Sequence, residues 1–174
     1  NLGRIRNDVD ALWNLGIHDI SIVQYFLNDI FPIKVSHTGS SFVQKNINDV
    51  SFLNLLYRNK VLVNIHVSWL DPNKVRKIII VGSKKMIIFD DTIKNKIELL
   101  DKGIDIIHSN NKVMDFDFNK IIKHRVGKSK FIKFKESEPL LNEMNHFYDS
   151  IVRKTKCRTD AKSSKNIIKI LSKI

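Results

Sequence analysis

The chain has 174 residues, 43% of them hydrophobic, a formal charge of +12 and one cysteine. That size and composition fit an ordinary soluble globular domain with a proper core. They exclude an intrachain disulfide and a cysteine-rich metal site, and no run approaches the roughly 20 apolar residues that a membrane-spanning helix needs.

The opening NLGRIRNDVD is too polar and charged to be a secretory h-region, so a cytoplasmic location is expected. The positive charge does not point to nucleic acid. Lysines are scattered through every element, no basic tract is interleaved with stacking aromatics, and the joint abundance of Ile, Lys and Asn has the look of an AT-rich genome. An anionic small substrate is compatible with the charge. Cys157 sits in RKTKCRTD without the local signature of a nucleophile, and an incidental thiol is the expectation.

From Val9 to Leu27 apolar residues recur at Leu12, Trp13, Gly16, Ile17, Ile20, Val23, Phe26 and Leu27, the period of an amphipathic helix. Pro32 ends it and biases Phe31 towards extended geometry. The period then changes. DVSFLNLLY, VLVNIHVSWL and VRKIIIVGS are short β-rich runs separated by Arg58-Asn59-Lys60 and Asp71-Pro72-Asn73, and they predict an antiparallel meander. In the second run Val61, Val63, Ile65, Val67 and Trp69 form an apolar face, and Leu62, Asn64, His66, Ser68 and Leu70 a mixed one. Gly82-Ser83-Lys84-Lys85 turns into MIIFDD, and KIELL, IDIIHS and Lys130–Phe134 extend the sheet.

The helical period returns in EPLLNEMNHFYDSIVRK, with Pro139 in the first turn and an apolar stripe of Leu140, Leu141, Met144, Phe147, Tyr148 and Ile151. A last helix carries Ile167, Ile168, Ile170 and Leu171, with Asp160 as its cap. Helix, several strands, then two helices indicate an α+β fold, an open and mostly antiparallel sheet with helices on one face.

Asn14 and His18 are four residues apart, so on a helix one stands above the other. His18 can exchange a proton near neutrality, whereas Asn14 can only orient a group by hydrogen bonds. Asp19 points about 100° away and is expected to cap, pair or bind backbone. Arg4 and Arg6 could hold a carboxylate or diphosphate bidentately, or be solvated. Trp69 reads as packing, and Arg76 as a further residue of the same interface. Asp90-Asp91, without histidine neighbours, reads as a solvated turn and not as a metal site.

NLGRIRNDVDALWNLGIHDISIVQYFL, HVSWLDPNKVRKIIIVGSKKMIIFDD and EPLLNEMNHFYDSIVRKTKCRTDA resemble, in order, three signatures of the C-terminal domain of the Gfo/Idh/MocA oxidoreductases. The resemblance is strongest to the nucleotide-sugar branch, the UDP-N-acetylglucosamine or UDP-N-acetylglucosaminuronate 3-dehydrogenases of surface polysaccharide synthesis. It implies a dihydrodipicolinate-reductase-like C-terminal fold, with residues 1–174 as one substrate-binding and oligomerisation domain of a longer two-domain enzyme. NAD or NADP would be held by an N-terminal Rossmann domain, and homo-oligomers would form through the sheet face.

His18 falls on the catalytic histidine of the family's Asp-x-x-x-His helix, and Asn14 on its aspartate, a departure that leaves Asn14 to position substrate. Arg4 and Arg6 lie in the family's approach to the substrate. No Gly-x-Gly-x-x-Gly and no Glu-Lys-Pro occurs, so the nucleotide fold and the catalytic lysine are not in this chain. It is expected to be inactive alone. The alternatives are a non-catalytic scaffold domain of the same fold and, behind it, a basic nucleic-acid-binding protein.

Overall fold

The computed structural model describes residues 5–108 and 120–174. A π-helical turn, Leu12–Gly16, leads into α1 (Ile17–Phe26). Seven strands follow among the described residues, β1 (Lys34–Ser40), β2 (Val50–Leu56), β3 (Leu62–Ser68), β4 (Lys77–Val81), β5 (Met86–Asp90), β6 (Ile97–His108) and β7 (Lys120–Phe131), then α2 (Pro139–Val152) and α3 (Ala161–Leu171). The fold is α+β with every strand pair antiparallel. No helix of the described residues is long and apolar enough to cross a membrane.

The strands divide into two sheets, β1-β2-β3 and β4-β5-β6-β7. The expected meander is therefore corrected at its third run. VLVNIHVSWL pairs with DVSFLNLLY, but VRKIIIVGS starts a separate sheet. The chain likewise forms two compact units, Asn1–Asn73 with Ser137–Ile174, and Lys74–Glu136.

In the first unit the alternation of β3 works as read. Ile65, Val67 and Trp69 are buried, while Leu62, Asn64 and His66 are exposed and His66 stacks on Phe52 with centroids 4.5 Å apart. Leu53, Leu55 and Tyr57 extend the core from β2 and just beyond it, and Ile167, Ile170 and Leu171 from α3. Asp160 caps α3 by accepting the Ser163 N–H at 2.9 Å, as its sequence position suggests.

The helical stripe is shifted. Ala11, Leu12, Gly16, Ile20 and Gln24 are buried, whereas Trp13 and Phe26 are exposed. In a regular α-helix residues four apart drift about 40° round the axis; the wider π turn holds Leu12, Gly16 and Ile20 in line against the sheet. Gln24 can be buried because its amide donates to the Tyr57 hydroxyl at 3.1 Å and the Ile30 carbonyl at 3.2 Å.

In the second unit the register of β6 and β7 puts Ile104, Ile106, Ile122, His124 and Val126 on one face, with the four apolar residues exposed. The other face carries Asp105, Lys123 and Arg125. There Arg125 pairs with Asp105 and with Asp101 at 3.4 Å, and donates to the carbonyls of Ser83 at 3.1 Å and Lys84 at 2.6 Å. The register slips between Leu100 and Lys102, a bulge that brings Gly127 against Asp101. A Cβ on Gly127 would overlap the Asp101 carbonyl oxygen and come within 2.8 Å of its Cβ.

Gly127→Ala is therefore expected to cost ~1–3 kcal/mol, read from urea denaturation. Gly103→Ala, which meets chiefly the movable end of Arg125, should cost less. Equal effects would remove the steric account.

Candidate functional site

The first unit contains an open cleft of about 940 Å³ lined by Ile5, Arg6, Asn7, Asp8, Asn14, Val43 and Gln44. Its size is that of a small-molecule site. Three segments build it: the extended stretch before the helix, the π turn, and the loop after β1.

The loop is set by a buried carboxylate. Asp49 is fully buried, and its Oδ2 accepts the backbone N–H groups of Phe42 at 2.6 Å and Val43 at 2.8 Å. The same residue donates its N–H to Ser40 and accepts the Trp69 N–H on its carbonyl. Gln44 then reaches across the cleft and donates to the Arg6 carbonyl at 2.7 Å.

The π turn is set by Asp10, whose side chain accepts the Trp13 N–H at 2.8 Å and whose carbonyl accepts the Asn14 N–H at 3.0 Å. Asn14 is half-buried, and its Oδ1 accepts the Trp69 indole N–H at 3.2 Å. Indole can only donate, so the contact fixes which way the amide points. The amide oxygen is engaged on the sheet side, which leaves the Nδ2 hydrogens as Asn14's contribution to the cleft. Trp69 is core, as its alternation indicates, and also a positioning group for Asn14.

Arg6 grips Asp8 through two hydrogen bonds of 2.8 Å and 2.5 Å. That contact holds the Asp8 carboxyl below the usual range and the Arg6 guanidinium above it. Any anion binding at Arg6 must share the guanidinium with Asp8. Arg4 lies outside the described residues.

His18 is exposed, one turn beyond Asn14, and does not line this cleft. The structure thus joins Arg6 and Asn14 in one cavity and leaves His18 on the helix surface outside it. Beside it, Asp19 is half-buried and accepts no hydrogen bond from the described residues. Burial pushes its carboxyl up, against the opposing pull of His18. The expected capping or pairing of Asp19 is not what the structure shows: burial removes water from its carboxyl without supplying a donor.

Elsewhere the singled-out residues have local partners. Ser68 accepts the Leu70 N–H, Arg76 pairs with Asp91 at 3.5 Å, and Asp91 with Lys96 at 2.9 Å. Asp90 accepts from Thr92 and faces Lys77 at 3.7 Å. Arg76 belongs to the second unit. Sequence reading missed Asp8, Val43, Gln44 and Asp49. Only Asp8, two residues from Arg6, left a visible signal.

Residues 5–88 match the model of the GFO/IDH/MocA C-terminal domain family. That stretch, just under half of this chain, is what resembles the GFO/IDH/MocA C-terminal domain. No curated protein matches it, but solved structures do. UDP-N-acetylglucosamine 3-dehydrogenase GnnA from Acidithiobacillus ferrooxidans superposes with a TM-score of 0.72 at 17% identity, over 96% of this chain and 46% of that one. The WlbA dehydrogenase from Bordetella pertussis, in complex with NADH and UDP-GlcNAcA, gives 0.62 at 15% identity over 95% and 41%. GenD2 from gentamicin A biosynthesis, in complex with NAD, gives 0.65 at 13% over 94% and 44%. At such identities the likeness is one of fold, and this chain spans less than half the length of each. The cleft and His18 both fall inside the matched residues of the GFO/IDH/MocA domain.

The Asp19 shift has a sign. A carboxyl whose folded-state pKa lies above its unfolded value favours the fold while both states are protonated, and loses that advantage as pH rises through the folded pKa. At neutral pH an ionised Asp19 therefore opposes folding. Asp19→Asn should raise Tm at pH 7, with the gain vanishing below pH ~3.9; a gain independent of pH would show that burial of charge is not the cause.

Proposed function

We propose that this chain is the substrate-side half of an NAD(P)-dependent dehydrogenase that oxidises a hydroxyl of a sugar or nucleotide sugar in the cytoplasm, in surface polysaccharide synthesis. The observation that carries the reading is the cleft built on Asn14, whose amide is aimed by Trp69, within the residues that match the GFO/IDH/MocA C-terminal domain model. Supporting it, GnnA and WlbA are by name a UDP-N-acetylglucosamine 3-dehydrogenase and a dehydrogenase bound to UDP-GlcNAcA.

The described residues do not fit a dinucleotide. All their strand pairs are antiparallel, and no glycine-rich loop joins a strand to a helix, so the crevice that holds NAD in a parallel sheet has no counterpart. The nicotinamide, when bound by an N-terminal Rossmann half, supplies the hydride acceptor. This chain supplies orientation. The Asn14 amide donates to a substrate hydroxyl or carbonyl, and Arg6, shared with Asp8, meets an anionic group. His18, exposed one turn along, takes the proton of the hydroxyl when the second half closes over it. Residues 1–174 act here as one domain for substrate binding and assembly. The exposed face of Ile104, Ile106, Ile122 and Val126 supports homo-oligomerisation through the sheet.

In the protein joined to its N-terminal half, His18→Ala should lower kcat by about 10²–10⁴-fold and leave cofactor affinity unchanged. Undiminished turnover would remove the assignment.

A further inference from the structure

Helix α2 is amphipathic the wrong way round. Leu140, Leu141, Met144, Phe147, Tyr148 and Ile151 are each between 57% and 64% exposed, and the helix buries none of its residues. Its less exposed positions are the polar His146, Asp149 and Ser150. The segment after the helix folds back onto that polar side, where His146 Nε2 accepts the Arg158 N–H at 3.0 Å. The apolar stripe has no cover within the described chain.

Two features of the stripe indicate what covers it. Leu140, Met144, Phe147 and Ile151 are spaced four, three and four residues apart, the a/d spacing of a helix–helix seam. That spacing reads the same in both directions. Residues 136–152 carry four acidic side chains, Glu136, Glu138, Glu143 and Asp149, and no lysine or arginine, whereas residues 153–158 carry four basic ones, Arg153, Lys154, Lys156 and Arg158. In a chain of charge +12 this local reversal is an acidic helix with a basic end.

We propose that α2 is an interface between two copies of this chain, packed antiparallel about a two-fold axis between Asn145 and His146. That arrangement sets Leu140 against the second copy's Ile151, Met144 against its Phe147, and Glu138 against its Arg153. It repeats each contact twice, as a two-fold interface requires. A parallel pair would set Glu138 against Glu138 and Arg153 against Arg153. Arg153 is free to serve. Its side chain is 71% exposed and, among the described residues, pairs with Asp149 of its own helix at 3.2 Å, a pair of the kind that contributes little.

A helix of 14 residues is about 21 Å long, and one such pair buries less than the ~800 Å² per partner of a standard interface. Its association is accordingly weak, in the micromolar range, and distinct from assembly through the sheet.

The test is analytical ultracentrifugation of the 174-residue chain over a range of concentrations, with circular dichroism as the check on folding. Phe147→Glu should weaken association roughly 30-fold or more with helicity retained. Glu138→Arg should weaken it several-fold, and Glu138→Arg combined with Arg153→Glu should restore it. The sheet-face variant Ile122→Glu should leave the α2 association intact. A chain that is monomeric at every concentration overturns the proposal, as does association unmoved by Phe147→Glu or a double variant no better than the single one. Loss of association in Ile122→Glu alone assigns assembly to the sheet and overturns the α2 interface while sparing the functional reading. If Phe147→Glu loses helicity, Met144→Glu replaces it under the same criteria.

Discussion

The fully buried carboxylate of Asp49 is the constraint on which the candidate site rests. Burying a charge without partners costs several kcal/mol, and here the cost is offset by two backbone N–H groups on one oxygen, from Phe42 and Val43, while Oδ1 has no partner among the described residues. A charge so placed leaves the loop one way to close. It must turn its N–H groups inward, which turns the side chains of Phe42 and Val43 outward, where both are exposed. The backbone of the same residue holds Trp69 at the end of β3, and Trp69 holds Asn14. One residue thereby fixes two walls of the cleft.

This dependence explains why the fold was more legible than the site. Alternation along β3, the cap at Asp160 and Pro139 at the start of α2 are local signals, and each does in the structure what its sequence position says. Partnership is not local. The run VRKIIIVGS announces a strand with nothing to say which sheet takes it, and KVSHTGS, strand β1, lacks the apolar alternation that would announce a strand at all. Asp49 opens an apolar β run as an ordinary flanking polar residue. Its role exists only once Ser40 and Trp69 are brought to its two sides.

The helix shows the same limit in finer detail. A 3.6-residue period places Trp13 and Phe26 on the inner stripe, but the π turn shifts the winding at its start, and Gln24, paired with Tyr57, takes a core position. Tyr57 is itself buried, which pushes its hydroxyl pKa up, with Gln24 partly opposing. A polar residue enters a core when its partner is built elsewhere in the chain, which no periodicity can foretell. The α2 stripe is the converse case. Periodicity identified an apolar face correctly, and only the packing reveals that nothing in the described chain lies against it.

The division of labour along the first helix follows from these supports. Asn14 sits where the helix is held on three sides, by Asp10 at its backbone, by Trp69 at its amide oxygen and by the sheet beneath, so a neutral amide there can orient a ligand at little entropic cost. The chain's own contribution at this helix is therefore alignment by Asn14, with the His18 imidazole exposed one turn further along, outside the cleft.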